Sequence, residues 1–149
     1  MPFDTTDATA KDDALCAALR DMRPAMQQST RIVADGIEAN FRGESSAGKA
    51  WKPLAPSTVR QREKKGFGGE HPILHRTGEV KALASAHREA TADGAEVGPD
   101  GPEWIGVHLG GADGFGGGRV PVRDFLAQSD QTIGEIERAI LEHLERNDG

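Results

Sequence analysis

The stretch that decides the fold is residues 104–126, WIGVHLGGADGFGGGRVPVRDFL. Its first residues have the aromatic and β-branched bias of a buried strand, which we place at 104–109. Six of the nine residues in 110–118 are glycine, so we expect no regular element there and predict a glycine-rich loop. After the loop, Pro121 disfavours a helix and Phe125 with Leu126 provides a compact apolar anchor. A loop between two firm anchors is typical of a surface that a partner orders.

The residues before this stretch predict two helices. Apolar positions recur at helical spacing over 11–22 and 24–42, with Pro24 in the first turn of the second helix. The small, polar segment 1–10 is expected to be disordered. We therefore predict a single domain over residues 11–149.

The middle of the chain predicts a small antiparallel sheet. Asp93 and Gly94 are a strong hairpin signal between strands near 84–91 and 95–98, and the strand at 104–109 would be the third. Short helices are expected at 57–65 and 79–83. A final helix, capped by Asp130, has an apolar stripe. The members of that stripe are Ile133, Ile136, Ile140, Leu141 and Leu144. Helices first, a sheet next and a helix last define an α+β fold, with the third strand in the core beneath the second and last helices.

The net charge of −6 is unevenly distributed. Residues 49–81 contain eight basic and three acidic side chains, whereas 124–149 contain seven acidic and two basic ones. Opposed charged faces permit head-to-tail pairing between copies, and such contacts close into rings. The candidate interface residues are Lys64, Lys65, Glu142, Glu145 and Arg123. Two alternatives stay open: both faces are ordinary solvated surface, or the basic segment binds nucleic acid, although the overall charge opposes non-specific binding.

Arg123 allows two interpretations of its own. In the first, Arg123 forms a salt bridge within the subunit, for example with the last helix. In the second, its planar guanidinium binds a carboxylate of a neighbouring subunit. The single cysteine, Cys16, excludes an internal disulfide. We expect Cys16 to be a small buried apolar side chain, with a reactive thiol as the alternative.

No catalytic or cofactor motif is complete. Residues 43–50, GESSAGKA, fall short of a phosphate-binding loop and follow a helix, so we predict a flexible polar loop. His71 and His75 are separated by Pro72, which disfavours a metal site, and His143 is expected to be solvated. His108 is expected to hydrogen-bond to backbone at the base of the glycine-rich loop, with a hydrolase base as the rival interpretation. We predict no enzyme, cofactor or metal, and no membrane span.

Four segments in order resemble the phage virion-morphogenesis or tail-completion family of Mu-like and related tailed phages. The first is Phe41-Arg42 followed by GKAWKPLAPST at 48–58, and the second is ILHRTGEV at 73–80. The third is WIGVHLGG at 104–111, and the fourth is VPVRDFL at 120–126. The residues that carry the resemblance are Phe41, Trp51, Leu54, Thr58, Leu74, Thr77, Gly78, Trp104, His108, Gly111, Pro121, Arg123, Phe125 and Leu126.

The resemblance implies a small α+β structural subunit without enzymatic activity. It implies a place in the neck or tail end, in tail completion, termination or head–tail joining, after assembly in the host cytoplasm. The expected partners are further copies of the chain and neighbouring neck or tail proteins. A ring of six follows from the six-fold symmetry of such tails.

Overall fold

The computed structural model describes residues 6–113 and 119–146. Helix α1 spans Thr6–Arg20 and α2 spans Arg23–Gly43, with Pro24 in the first turn of α2. The predicted break at Pro24 is confirmed. The predicted start of α1 at residue 11 was wrong, because residues 6–10 are already helical. Cys16 is exposed rather than buried, since the small Ala18 occupies the inward position instead.

Helix α6 spans Asp130–Glu145 and packs against α2 and α1. Its N-cap is Ser129, one residue before the predicted Asp130, and the Ser129 Oγ accepts from the Thr132 N–H at 3.2 Å. The two long helices approach closely: a Cβ on Gly36 of α2 would lie 3.3 Å from the Thr132 Cγ2. Close approach requires small residues, so α6 buries Thr132 and Ala139.

The predicted apolar stripe of α6 is therefore wrong in part. Ile133 and Leu141 are exposed, while Ile136, Ile140 and Leu144 are half-buried. His143 was expected to be solvated, but it lies on the packing face. Its Nε2 donates to the carbonyl oxygen of Asp21 at 3.1 Å and approaches that of Ala18 at 3.4 Å. His143 thereby ties α6 to the end of α1.

Within the described residues, the strands form three separate antiparallel hairpins rather than a three-stranded sheet. Strands β3, His87–Ala90, and β4, Ala95–Gly98, pair with His87 opposite Gly98 and pack on α2. This confirms the hairpin turn at Asp93-Gly94. Strands β1, Ser45–Ser46, and β2, Lys49–Ala50, also pair, so the prediction of a flexible loop at 43–50 was wrong.

The third hairpin joins β5, Ala112–Asp113, to β6, Arg119–Val120. Regular structure therefore enters the first part of the predicted glycine-rich loop, 110–118, and β6 begins directly after that loop. The remainder of the loop, 114–118, lies outside the described residues. Both predicted short helices are confirmed. Helix α3 spans Pro56–Lys64 and α4 spans Glu79–Leu83.

The predicted strand at 104–109 is helical. A 3-10 turn, Glu103–Ile105, follows Pro102 and continues into α5, Gly106–Gly110. Ile105 and Leu109 are four residues apart, so they lie on one face of the helix. Ile105 is buried in the core, and Leu109 packs against the buried cluster. A short apolar run satisfies helix and strand spacing equally, which explains the wrong prediction.

Phe125 is the most buried large side chain, with 0% exposure. Its ring lies 5.3 Å from that of Phe41, which in turn meets Trp51 edge-to-face at 5.5 Å. The rest of the buried cluster is Ile37, Ile73, Val80, Ala84 and Ile105. The core thus lies between α2 and the segments around Trp51, Ile105 and Phe125, and the architecture confirms the predicted α+β class. Within the described residues, no helix combines the length and apolar character that a membrane crossing requires.

Candidate interface cleft

A cleft of about 1020 Å³ opens beside α3 and α4. Four segments distant in sequence meet there: residues 52–62, 74–80, 104–108 and 120–123. More than half of the residues that carry the family resemblance line this cleft. They are Leu54, Thr58, Leu74, Thr77, Trp104, His108, Pro121 and Arg123. We call this feature the motif cleft.

The remaining resemblance residues support the cleft from behind. Phe41, Trp51 and Phe125 are buried in the core, and Leu126 packs against them. Gly78 and Gly111 hold backbone with positive φ, at 80° and 69°, which other residues adopt at a cost. A Cβ on Gly111 would also lie 3.1 Å from the Val120 carbonyl oxygen. Gly111 therefore permits α5 to end directly against β6.

Arg123 is buried, with 4% exposure, and bonds within its own subunit. Its Nε and Nη2 donate to the Lys52 carbonyl oxygen at 3.2 and 2.8 Å, and Nη2 also reaches the Pro53 oxygen at 3.3 Å. Its backbone N–H donates to the His108 carbonyl oxygen at 2.7 Å. Arg123 thus fastens the extended segment 52–53 to α5. The expected salt bridge to α6 was therefore wrong, because the guanidinium bonds to backbone oxygens of 52–53 instead. A contact between Arg123 and a carboxylate of a neighbouring subunit stays a prediction.

Arg62 has a similar position, which the sequence analysis missed by counting it with the basic surface. It is 5% exposed, and its Nη1 and Nη2 donate to the carbonyl oxygens of Pro72 and Phe67 at 3.1 and 3.3 Å. Its buried Nε has no hydrogen-bond partner in the described part of the chain. One signal was available: Arg62 follows Val59, the single aliphatic residue of α3, by three positions and shares its face.

His108 lies against the cleft with a buried Nδ1 that lacks a hydrogen-bond partner among residues 6–113 and 119–146. The expected ring hydrogen bond to backbone was therefore wrong for this nitrogen. Burial lowers the pKa of the His108 imidazole, and the positive charge of Arg123 lowers it further. Both causes oppose protonation, so His108 is neutral at neutral pH.

Glu44 holds the loop that joins α3 to α4 beside the motif cleft. This residue, in the left-handed conformation at the end of α2, accepts from the Ile73 N–H at 2.6 Å through Oε1, while Oε2 contacts His71 Nδ1. His71 therefore interacts with Glu44 rather than pairing with His75. Sequence reasoning missed Glu44, because its partners lie almost thirty residues away.

The described residues contain one group whose ligand atoms approach one another as a metal site would require. It consists of His87, Glu89 and Glu96 on the β3–β4 hairpin, with atoms within 4.8 Å. Glu89 and Glu96 are directly paired across the strands and both are exposed. Exposed carboxylates of this kind are ordinary on a protein surface, and none of the three residues lines the motif cleft.

The motif cleft combines positive charge with apolar surface. Lys52, Arg62, Arg76 and Arg123 line it against the single carboxylate Glu79. The apolar lining comes from Leu54, Val80, Trp104, Val120 and Pro121. Trp104 was expected in the core but is 41% exposed. Such a surface suits a partner with both acidic and apolar side chains.

The other candidate interface residues lie outside the cleft. Lys64 and Lys65 are exposed at the end of α3, and Glu145 is exposed on α6. Glu142 is half-buried and pairs with Arg146 at 3.5 Å.

Fold and cleft together define a small α+β protein whose most developed surface feature is suited to binding a partner. The chain belongs to the phage virion morphogenesis family, whose match covers residues 4–145. It therefore has a role in phage virion assembly. No curated protein and no solved structure matches the chain significantly.

Proposed function

We propose that this chain is a structural subunit of the phage neck or tail end, where copies assemble into a ring during tail completion, termination or head–tail joining. In this proposal the ring has six members, because the tails that the family resemblance suggests have six-fold symmetry. Its further partners are the neighbouring neck or tail proteins.

The observation that carries the proposal is the convergence of the resemblance residues on the motif cleft. Residues needed only for folding would lie in the core, as Phe41 and Phe125 do. Leu54, Thr58, Thr77 and Trp104 instead line an open surface, and Trp104 exposes a large aromatic ring there. Exposed aromatic side chains beside charged groups are typical of binding hot spots.

The charge distribution supports contacts between copies. The motif cleft has a positive lining, whereas exposed carboxylates lie along α6, a helix that lines no part of the cleft. Two unlike surfaces on one subunit favour head-to-tail association, which closes into a ring when the rotation permits. Exposed ion pairs contribute only about 0–1 kcal/mol each, so charge steers assembly more than it holds it.

Electron microscopy of virions tests the proposal directly. We expect density for this chain in a ring at the neck or the tail end, with six copies per particle. A single copy per particle, or no density in the neck and tail, would contradict the proposal. Labelling with an antibody against the chain locates it independently of the fitted density.

Nucleic-acid binding by the basic segment 49–81 is less well supported. Arg62 is buried, and Lys81 pairs with Glu38 at 3.4 Å, so the exposed positive charge is smaller than the sequence suggested. A gel-shift titration over salt concentration distinguishes the two functions. A nucleic-acid-binding module would show retention with a steep salt dependence, whereas we expect no retention at physiological salt.

A hydrolase that uses His108 receives no support from the site geometry. Its Nδ1 forms no hydrogen bond with a hydroxyl or a carboxylate within the described residues. The substitution His108→Ala and a panel of hydrolase substrates test this rival. We expect no turnover with either the wild-type or the substituted chain.

A further inference from the structure

Helix α6 has an exposed stripe that is both apolar and acidic. Ile133, Glu137, Leu141 and Glu145 follow one another at intervals of four residues, and all four are exposed. The two apolar members are 46% and 57% exposed. Residues four apart share one face of a helix, and this face points away from Thr132 and Ala139, which pack on α2. We call it the α6 stripe.

The motif cleft has the complementary chemistry. Trp104 and Leu54 supply apolar surface, and Lys52 and Arg76 supply positive charge near it. Exposed leucine and isoleucine lose contact with water only if another surface covers them, and burying that apolar surface favours association. The apolar members of the stripe suit the apolar lining of the cleft, and its carboxylates suit the cationic groups.

The two surfaces belong to different parts of the subunit. No residue of α6 lines the cleft, and α6 is held by its packing on α2 and α1. Contact between stripe and cleft therefore requires two copies. Each copy would then offer a stripe at one side and a cleft at the other, which is a heterologous contact.

We infer that the α6 stripe of one copy docks into the motif cleft of the next. This inference rests on the proposed ring and names the surfaces that join its members. The binding mode is a helix in a groove, with Ile133 and Leu141 as apolar anchors. These anchors are about 12 Å apart along the helix axis, given the rise of about 1.5 Å per residue.

Cysteine cross-linking tests the contact. The exposed Cys16 is first removed by Cys16→Ser. One full-length chain then receives Leu141→Cys on the stripe and a second receives Gln61→Cys, an exposed residue that lines the cleft. The two chains are co-expressed during phage assembly, particles are oxidised, and products are separated without reductant. We expect a cross-linked dimer of the two chains.

The matched control replaces Leu141→Cys with Glu89→Cys, an exposed position on the β3–β4 hairpin. We expect no cross-link between Glu89→Cys and Gln61→Cys chains. A cross-link that is equally strong with the control, or absent with Leu141→Cys, overturns the inference. Cross-linking of Gln61→Cys to a different virion protein also overturns it, because the cleft then has another occupant.

Charge exchange provides a second test that does not depend on disulfide geometry. Arg76→Glu and Glu137→Arg change exposed side chains, so the fold should survive, as circular dichroism can verify. Each single variant should lower the yield of infectious particles about tenfold or more, since like charges then face each other. The double variant should restore most of the yield. Normal yields for both single variants, or no recovery in the double variant, contradict the proposed contact.

These tests separate the inference from the proposed function. A ring seen by electron microscopy without the cross-link or the charge rescue means that the ring exists but joins through other surfaces. A cross-link between copies without density in the neck or tail means that the contact is real and the proposed location is wrong.

Discussion

The α2–α6 layer and the motif cleft show two different ways of building structure. The layer consists of two long helices in close contact, with small residues such as Gly36 and Ala139 between them. The cleft is built from short elements, including helices of five residues and strands of two. Long helices are stabilised along their whole length by packing. Short elements need individual anchors, and here buried polar side chains supply them.

Those anchors all bond to backbone groups. Arg123 donates to the Lys52 carbonyl oxygen and Arg62 to the Pro72 carbonyl oxygen, and Asn40 of α2 donates to the carbonyl oxygens of Phe125 and Ala127. Carbonyl groups in proline-containing segments such as 52–56 cannot all be satisfied by regular structure, so side-chain donors take over. We therefore expect truncation of a core side chain to lower the stability of the whole fold. Loss of an anchor should lower stability less, with the effect centred on the cleft.

Phe125 joins the two regions, so its truncation should have the largest effect. It is fully buried and contacts Phe41. We expect Phe125→Ala to lower the free energy of unfolding by about 3–5 kcal/mol, the usual cost of such a cavity. Chemical denaturation measures the change. The neighbouring exposed residue provides the control, since Val122→Ala should change stability by less than about 0.5 kcal/mol. An unchanged denaturation curve for Phe125→Ala would show that the side chain is not buried in solution.

Asn40 should have the next largest effect. Its Nδ2 donates to the carbonyl oxygens of Phe125 and Ala127 at 3.0 and 2.7 Å, and its Oδ1 accepts from the Ala47 N–H at 2.9 Å. Asn40→Ala leaves these groups without a partner, at an expected cost of about 2–3 kcal/mol. Gln28→Ala, at an exposed position of α2, is the control and should be nearly neutral. Chemical denaturation measures both variants. Equal denaturation midpoints for Asn40→Ala and Gln28→Ala would show that Asn40 does not anchor these backbone groups.

Arg123 tests whether a cleft anchor needs the forked guanidinium. Arg123→Lys keeps the positive charge, but one ammonium group cannot reproduce the bonds to Lys52 and Pro53. We expect a loss of about 1–2 kcal/mol, because a buried carbonyl group loses its donor. Arg42→Lys is the matched control, since the Arg42 side chain is 77% exposed. Hydrogen exchange should locate the loss around residues 52–56. An equal loss across α2 and α6 would contradict the idea of a local anchor.

Local pattern was sufficient to predict the two long helices α2 and α6 and the short helices α3 and α4. Helical periodicity predicted α2 and α6, and turn chemistry predicted the β3–β4 hairpin at Asp93-Gly94. The face that α6 buries could not be predicted in this way, because it depends on the close approach permitted by Gly36. The run from Trp104 to Leu109 is too short to distinguish a helix from a strand by spacing.

The resemblance named several residues of the motif cleft, but it predicted neither the cleft nor what those residues do there. The resemblance selected Trp104, His108 and Arg123, which the structure brings to one cleft. The general preference of charged residues for the surface led to the wrong role for Arg62 and to a salt bridge that Arg123 does not form. Asn40 and Glu44 gave no sequence signal, because each acts on backbone groups far along the chain. Such partners follow from tertiary structure and not from local composition.

The smallest expected effect is a pH dependence centred on His108. Because burial and Arg123 lower the pKa of this histidine in the folded state, the unfolded chain binds a proton more readily below its ordinary pKa of about 6.5. Stability from this group is therefore complete above pH 6.5 and decreases as the pH falls below that value. Denaturation of the wild-type chain and of His108→Asn is measured between pH 7.5 and 5. The difference between the two chains cancels every contribution that they share. We expect the His108→Asn chain to lose less stability on acidification. Parallel pH profiles for the two chains would mean that His108 is solvated in the folded protein, and that the cleft is wider at this point than the structure shows.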